Sequence, residues 1–358
     1  MWTRRTFLSV AGAAFVSGLS SRSADALNDG DLVFAVAGKT KSGAFTAALV
    51  NEHGAVIAQS ALPDRGHGVT RCAVTGRIVV FARRPGTFAV VLDRNGQGVA
   101  TFATPEGRHF YGHGAFSPDG KLLYATENDF DAARGIIGIY DATDGFSRIG
   151  EFYSGGTGPH DVMIGRDGRY LCVANGGIET HPDFGRAKLN LATMKPNLAW
   201  LDRATGDLVS VHDLPPDLHQ LSLRHMALGK GAQIWVGGQY QGERGDNPPV
   251  LASAAPDEEL KLMRLPETYN AALAAYVGSL SASPDGRQIV ATSPVGGAAV
   301  IFDTESGTAS MLDASNISAV AWRESGFAFA TGHGEFIAMD GTRSQPGFYY
   351  DQHMVNLG

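Results

Sequence analysis

From residue 31 onward, apolar residues fall into short runs rich in Val, Ile, Phe and Ala. Asp-Gly, Asn-Gly and other Gly-containing turns separate the runs, and a helical period is sustained only once. The clearest unit lies between Gly112 and Asp141. It holds a run containing His113, a Ser117-Pro118-Asp119-Gly120 turn, a strand from Lys121 to Thr126, and a loop with Glu127, Asn128 and Asp129. A further strand, Ile136 to Tyr140, follows. Asp-Gly between apolar runs is a strong hairpin signal, because such turns favour positive φ. The same grammar recurs at a period of about 40–50 residues with strands only, which predicts a β-propeller.

Counting these units predicts seven blades. Their openings are marked by Gly66-His67-Gly68, the unit above, Gly158-Pro159-His160-Asp161, Arg224-His225-Met226, Ser279 and Ile317, and the first blade begins without its opening strand. The chain ends in Asp351-Gln352-His353-Met354-Val355-Asn356-Leu357, which matches the missing strand, His included. The expected fold is therefore an all-β, seven-bladed β-propeller spanning 27–358, closed by a C-terminal strand that completes blade one. Pro266 to Tyr276, with Tyr269, Leu273 and Tyr276 at helical spacing, is read as a short helix that caps the channel or, the more ordinary role, covers a gap between blades.

The high glycine content, 46 of 358 residues, suits a chain that turns this often. A net charge of −7 excludes a nucleic-acid binder, which needs a basic face. Beyond the N-terminus no apolar stretch approaches the roughly twenty residues of a membrane span. Residues 1–26 read as a twin-arginine signal: Thr3-Arg4-Arg5-Thr6-Phe7-Leu8, a mildly apolar run, Arg22, and an Ala24-Asp25-Ala26 cleavage site. A periplasmic monomer is expected. Cys72 and Cys172 fall in non-adjacent blades, so both are expected to be buried free thiols.

Propeller topology then ranks the residues. The connections into each innermost strand share one face with the loops between each blade's second and third strands. His67, His113, His160, His225 and His353 occupy one repeat position there, at the mouth of the innermost strand. The loops on that face add Lys39, Lys41, Arg83, Arg84, Glu127, Asn128, Asp129, Asn175, Glu179, His181, Asp183, Gln239, Gln241 and His333, so that seven of 11 histidines are expected to converge. Neutral imidazoles gathered at one axis suit Fe, Cu or Zn, with Glu127 or Asp161 as a carboxylate ligand. Repeat-equivalent histidines serve equally well as a hydrogen-bonding scaffold. They also suit an anion held with Arg83 and Arg84, in which case Asn128, Asp129, Asn175, His181, Asp183, Gln239 and His333 complete the ligand-binding set. The long blade-four loop, 175–196, reads as a ligand arm or a plain rim, with Glu179, His181 and Asp183 on one side by alternation.

The runs Leu123-Tyr-Ala-Thr-Glu-Asn-Asp129, Ser154-Gly-Gly-Thr-Gly-Pro-His160, Val173-Ala-Asn-Gly-Gly-Ile-Glu-Thr-His-Pro-Asp-Phe-Gly-Arg186 and Leu221-Ser-Leu-Arg-His-Met226 resemble the domain-of-unknown-function 1513 family. The resemblance implies an exported seven-bladed propeller, encoded beside imelysin-type iron-associated and di-haem oxidoreductase-like proteins, one of which is the implied periplasmic partner. It carries no catalytic residue and raises the iron reading. A looser resemblance to lactonase-like propellers implies a metal-dependent hydrolase, though those sites lean on carboxylates and Asn where this ring is histidine. Three functions follow: an iron- or metal-associated binding protein with a histidine-lined channel mouth; a metal-dependent hydrolase or oxidoreductase using Glu127 or Glu179; and an interaction scaffold with structural histidines.

Overall fold

In the computed structural model, which describes residues 32–358 apart from Ser325, turns every few residues fold the chain into seven four-stranded antiparallel sheets. Six are built from consecutive strands. The seventh, blade one, takes its innermost strand, Phe348–Asn356, from the C-terminus and pairs it with Phe34–Thr40. The expected closure is thus present. The twin-arginine signal and the start of the first run lie outside the described residues.

Each blade buries both faces against its neighbours, so the core consists of the seams between blades. Val79, Phe81, Phe110 and Tyr140 fill the seam of blades two and three, and Ala35, Leu49, Ile78 and Val80 that of one and two. Phe34, Phe336, Phe348 and Ala319 fill the closing seam. The second strand of each blade is accordingly buried along most of its length, and wholly apolar in Ile78–Ala82, whereas outermost strands such as Ser147–Tyr153 alternate exposed and half-buried. Cys72 and Cys172 are both buried and unpaired. Among the described residues no helix is long and apolar enough to cross a membrane.

The predicted helix is shorter than its pattern, covering Glu267–Ala272 with Pro266 at its N-cap. Ala274 and Ala275 then take positive φ, which stops the helix and carries Tyr276 back to bridge Gln239. This segment walls a central cavity, which is the channel-side placement rather than the cover for a blade gap.

The closing strand is held by packing as well as by its ladder. Phe348 lies over Gly38, where an added Cβ would collide with its ring, and stacks edge-on to Tyr350. Phe348→Ala is therefore expected to cost about 3–5 kcal/mol, by the cavity it opens. Urea unfolding checks this; a loss below about 1 kcal/mol would mean that the seam does not depend on the ring.

Candidate functional site

The innermost strands do not pair regularly. In blade two, His67 and Gly68 stand opposite Phe81 alone, because Gly66 pairs Ala82 and Val69 pairs Val80. In blade three Tyr111, Gly112 and His113 share one partner position, and in blade four His160 is the extra residue between Pro159 and Asp161. Blade five carries Arg224 as the extra residue before His225, and blade one loops out Asp351, Gln352 and His353 opposite Ala37. Such bulges bend the strand and re-aim a side chain. Here they turn imidazoles out of the blade seams and toward the axis. Blade six pairs in regular register and presents Ser279 instead.

The result is a closed ring of five imidazoles. Neighbouring centroids are 4.9 Å apart for His67–His113 and for His113–His160, 4.7 Å for His160–His225, 4.6 Å for His225–His353 and 4.7 Å for His353–His67. Blades six and seven supply no imidazole, and His225 and His353 meet directly across that gap. His67 and His160 stand at the start of Gly66–Arg71 and Pro159–Ile164 as expected, whereas the other three are recessed. His113, His225 and His353 lie well inside Arg108–Phe116, Leu221–Leu228 and Phe348–Asn356, so the strands continue past them toward the loops. Of the seven histidines expected to converge, five do. His181 faces Asp131 on the rim, and His333 is exposed on its loop.

Hydrogen-bond accounting separates the five. His113 Nδ1 lies 3.4 Å from Asp161 Oδ1, and both Asp161 oxygens also accept backbone N–H groups, from Val162 and Met226. Burial lifts the Asp161 carboxyl to about 7, so near neutral pH it is present in both its accepting and its donating form, and His113 Nε2 is buried without a partner. His353 Nδ1 is 3.4 Å from Ser279 Oγ, and its Nε2 is likewise free. His160 is the reverse: Arg224 Nη1 donates to its Nδ1 at 3.0 Å, which puts the proton on Nε2. Neither ring nitrogen of His225 has a partner, although the residue is only 2% exposed. Burial, then neighbouring positive and imidazole groups, holds His67, His113, His160 and His225 well below the ordinary 6.5, and burial brings His353 to about 4. All five are neutral at pH 7. One nitrogen each from His113, His225 and His353 lies within 4.8 Å of the others, and the same holds for His67, His113 and His160.

The ring divides the channel. His113, His225, His353 and Asp161 open to a chamber of about 500 Å³ on one side. On the loop side, His67 and His160 floor a cavity of about 270 Å³ walled by Arg83, Arg84, Tyr111, Arg224, Gln239 and Tyr276. Arg83, Arg84, Gln239 and Gln241 thus reach the cavity as expected. The blade-four loop also delivers residues to it, but Arg186 and Lys188 rather than Glu179, His181 and Asp183. A short helical turn at Pro182–Phe184 breaks the alternation on which that reading rested, and Asp183 is exposed. Sequence reasoning missed Arg186, Lys188, Arg224 and Tyr111. Only Arg224, directly before a ring histidine, carried a usable signal.

Other expected site residues do not reach the cavity. Asn128 binds the carbonyl of Thr180 at 2.9 Å and His109 Nε2 at 3.0 Å, clamping the blade-four loop onto blade three. Asn175 is closed off by Ser154 and Asn197, and Asp129 lies 3.5 Å from Arg108. Glu179 is half-buried near the loop's base, where its N–H donates to Asn190. Glu127 is neither a channel ligand nor a free base. It is 0% exposed within blade three, where Tyr140 donates at 2.6 Å and Arg148 at 3.0 and 3.2 Å.

With this geometry in hand, comparison with known proteins adds two findings. The model of a family described as "Protein of unknown function (DUF1513)" matches residues 60–357. The fold is similar to a solved structure of Kuenenia stuttgartiensis hydrazine synthase, with a TM-score of 0.55 and 16% sequence identity. The match covers 75% of this chain and 76% of that one. At that identity the likeness concerns the fold alone. No curated protein matches the chain.

Two stability measurements separate fold residues from site residues. Glu127→Gln weakens a buried ion pair, so a loss of about 3–5 kcal/mol in denaturant is expected; a variant as stable as the parent would return Glu127 to the functional candidates. His225→Leu removes two unpartnered buried nitrogens, so metal-free protein should stay as stable or gain about 1–2 kcal/mol. A loss of that size instead would make this imidazole a structural member.

Proposed function

Since the chain belongs to the DUF1513 family, whose function is unknown, we propose that it is a transition-metal-binding propeller that holds its ion at His113, His225 and His353. The observation that carries this reading is the set of lone pairs. Each of three neutral imidazoles has a buried Nε2 without a partner, one nitrogen of each lies within 4.8 Å of the others, and the Nδ1 atoms of two of them lie 3.4 Å from Asp161 and Ser279. A buried polar atom left unpaired costs roughly 1–3 kcal/mol, so a fold that gathers several needs a compensating ligand. Neutral imidazole is a good donor to Fe, Cu, Ni and Zn. A carboxylate on the other ring nitrogen fixes the tautomer and raises donor strength. Iron fits this donor set, as do copper and zinc. The His67–His113–His160 group fits less well, because Arg224 occupies the lone pair of His160.

The role proposed is binding rather than catalysis, since of the two carboxylates expected to act as base Glu127 is consumed by Tyr140, Arg108 and Arg148, and Glu179 lines neither chamber. Twin-arginine export to the periplasm, and an imelysin-like or di-haem partner there, belong to the same proposal.

Metal analysis of protein purified from its export compartment, followed by titration of stripped protein, tests the reading. One ion per chain is expected in wild type and none in the His113→Ala/His353→Ala double variant. Asp161→Asn, which leaves all three ligands in place, should weaken binding about 10–100-fold. If no first-row transition ion co-purifies and none binds at micromolar levels, the proposal is wrong.

A further inference from the structure

The loop-side cavity holds a concentration of positive charge that runs against the composition of the whole chain. Five cationic side chains, Arg83, Arg84, Arg186, Lys188 and Arg224, line it, whereas the protein carries a net charge of −7 and no Asp or Glu lines the cavity. Their hydrogen bonds go to neutral groups. Arg186 donates to the Arg84 carbonyl at 3.0 Å, Lys188 to Gln241, and Arg224 to His160 Nδ1. Among the described residues none of the five forms an ion pair. Arg224 is only 6% exposed and its Nε has no partner, and His160 Nε2 is a second buried donor without one.

Such an arrangement is unfavourable as it stands. Burial, then repulsion among the cations, lowers the proton affinity of Arg84 and Arg186, and carries Arg224 down to about 10. The cations come from three different blades: Arg83 and Arg84 from the loop after Ile78–Ala82, Arg186 and Lys188 from the blade-four loop, and Arg224 from the bulge of blade five. Chance crowding of surface side chains does not explain a buried one among them.

We infer that this cavity is a receptor for a small polyanion carrying two or more carboxylate or phosphate groups, bound by Arg84, Arg186, Arg224 and Lys188 over the His67 and His160 rings. Planar guanidinium groups bind either oxyanion through paired N–H donors, which makes them suited to this class. The volume of about 270 Å³ admits a ligand of the size of citrate or pyrophosphate and excludes a nucleic acid or a folded partner. Tyr111, Gln239 and Tyr276 add neutral polar contacts at the walls. The inference stands apart from the metal at His113, His225 and His353, which opens to the other side of the ring.

Calorimetric titration of metal-stripped protein with citrate, and separately with pyrophosphate, tests it. Saturable 1:1 binding with a Kd on the order of 10 µM or tighter at low ionic strength is expected. It should weaken as salt rises and vanish with trimethyl citrate, which keeps the shape without the charge. The stronger of the two anions assigns the class, carboxylate or phosphate. Arg84→Gln and Arg186→Gln should each cut affinity about tenfold or more, with Tm held or raised because repulsion is relieved. Lys188→Gln, on an exposed side chain, is the fallback should either arginine variant misfold, and should weaken binding in the same direction. Binding no tighter than millimolar, or binding indifferent to all three substitutions, overturns the inference. Because the protein is metal-free throughout, a failed metal site leaves this result readable.

Discussion

Everything at the axis depends on the bulges in the innermost strands. A propeller's regular antiparallel ladder alternates side chains between the two seams of a blade, and the regular innermost strand of blade six brings only the small Ser279 to the axis. One extra residue breaks that alternation locally. In blade four the extra residue is His160 itself; in blade two it is His67 with Gly68, whose lack of a Cβ lets the Gly112 carbonyl pass close by. Side chains of the same blade and of the neighbouring one then satisfy backbone groups beside the bulges. Thr126 both donates to the His113 carbonyl and accepts its N–H, and Asp161 takes the N–H of Met226. The bulges therefore survive because they are hydrogen-bonded, and the imidazoles point inward because of the bulges.

The same constraint accounts for the electrostatics. Rings packed at 4.6–4.9 Å and buried cannot share positive charge, and burial dominates each one's proton affinity. Guanidinium groups cannot escape in the same way, because they stay protonated at any pH the fold survives. The axis is thus layered. A neutral ring of donors and acceptors lies beneath a cap of permanent cations, with Arg224 reaching from the cap to His160.

The architecture was legible in the sequence because a propeller writes its period into its turns. Ser-Pro-Asp-Gly in blades three and six, the histidines at one repeat position, and the unpaired C-terminal run together specified seven blades and the closing strand. Arg83 and Arg84 could be placed because a loop between the second and third strands has only one face on which to lie. What the sequence withheld was direction. No residue pattern distinguishes a bulged strand from a regular one, so all five rings were expected at the mouth, whereas His113, His225 and His353 lie deeper. The alternation of Glu179, His181 and Asp183 presumed an extended loop, whereas Pro182 starts a turn that hands the inward position to Arg186 and Lys188. Glu127 looked like a channel carboxylate from its loop-proximal position. Its commitment to Arg148, twenty-one residues further along the chain, and to Tyr140 is a tertiary fact.

Tautomers give the ring two sides. The Nε2 atoms of His113 and His353 are buried without partners and act as acceptors when the ring proton sits on Nδ1, beside Asp161 and Ser279, whereas Arg224 takes the lone pair of His160 and leaves it a proton to donate. A ring with acceptors exposed on one part and a donor on another suits a cation and an anion at once, each near its own chamber. The two occupancies would not be independent. A cation among the imidazoles adds to the positive charge already crowded above them, and an anion in the cap removes it. Each ligand would therefore favour the other by the same factor, since coupling between two binding equilibria is reciprocal. A cationic cap above a cation site is self-defeating in an empty protein, but it becomes a source of cooperativity once the cap is filled.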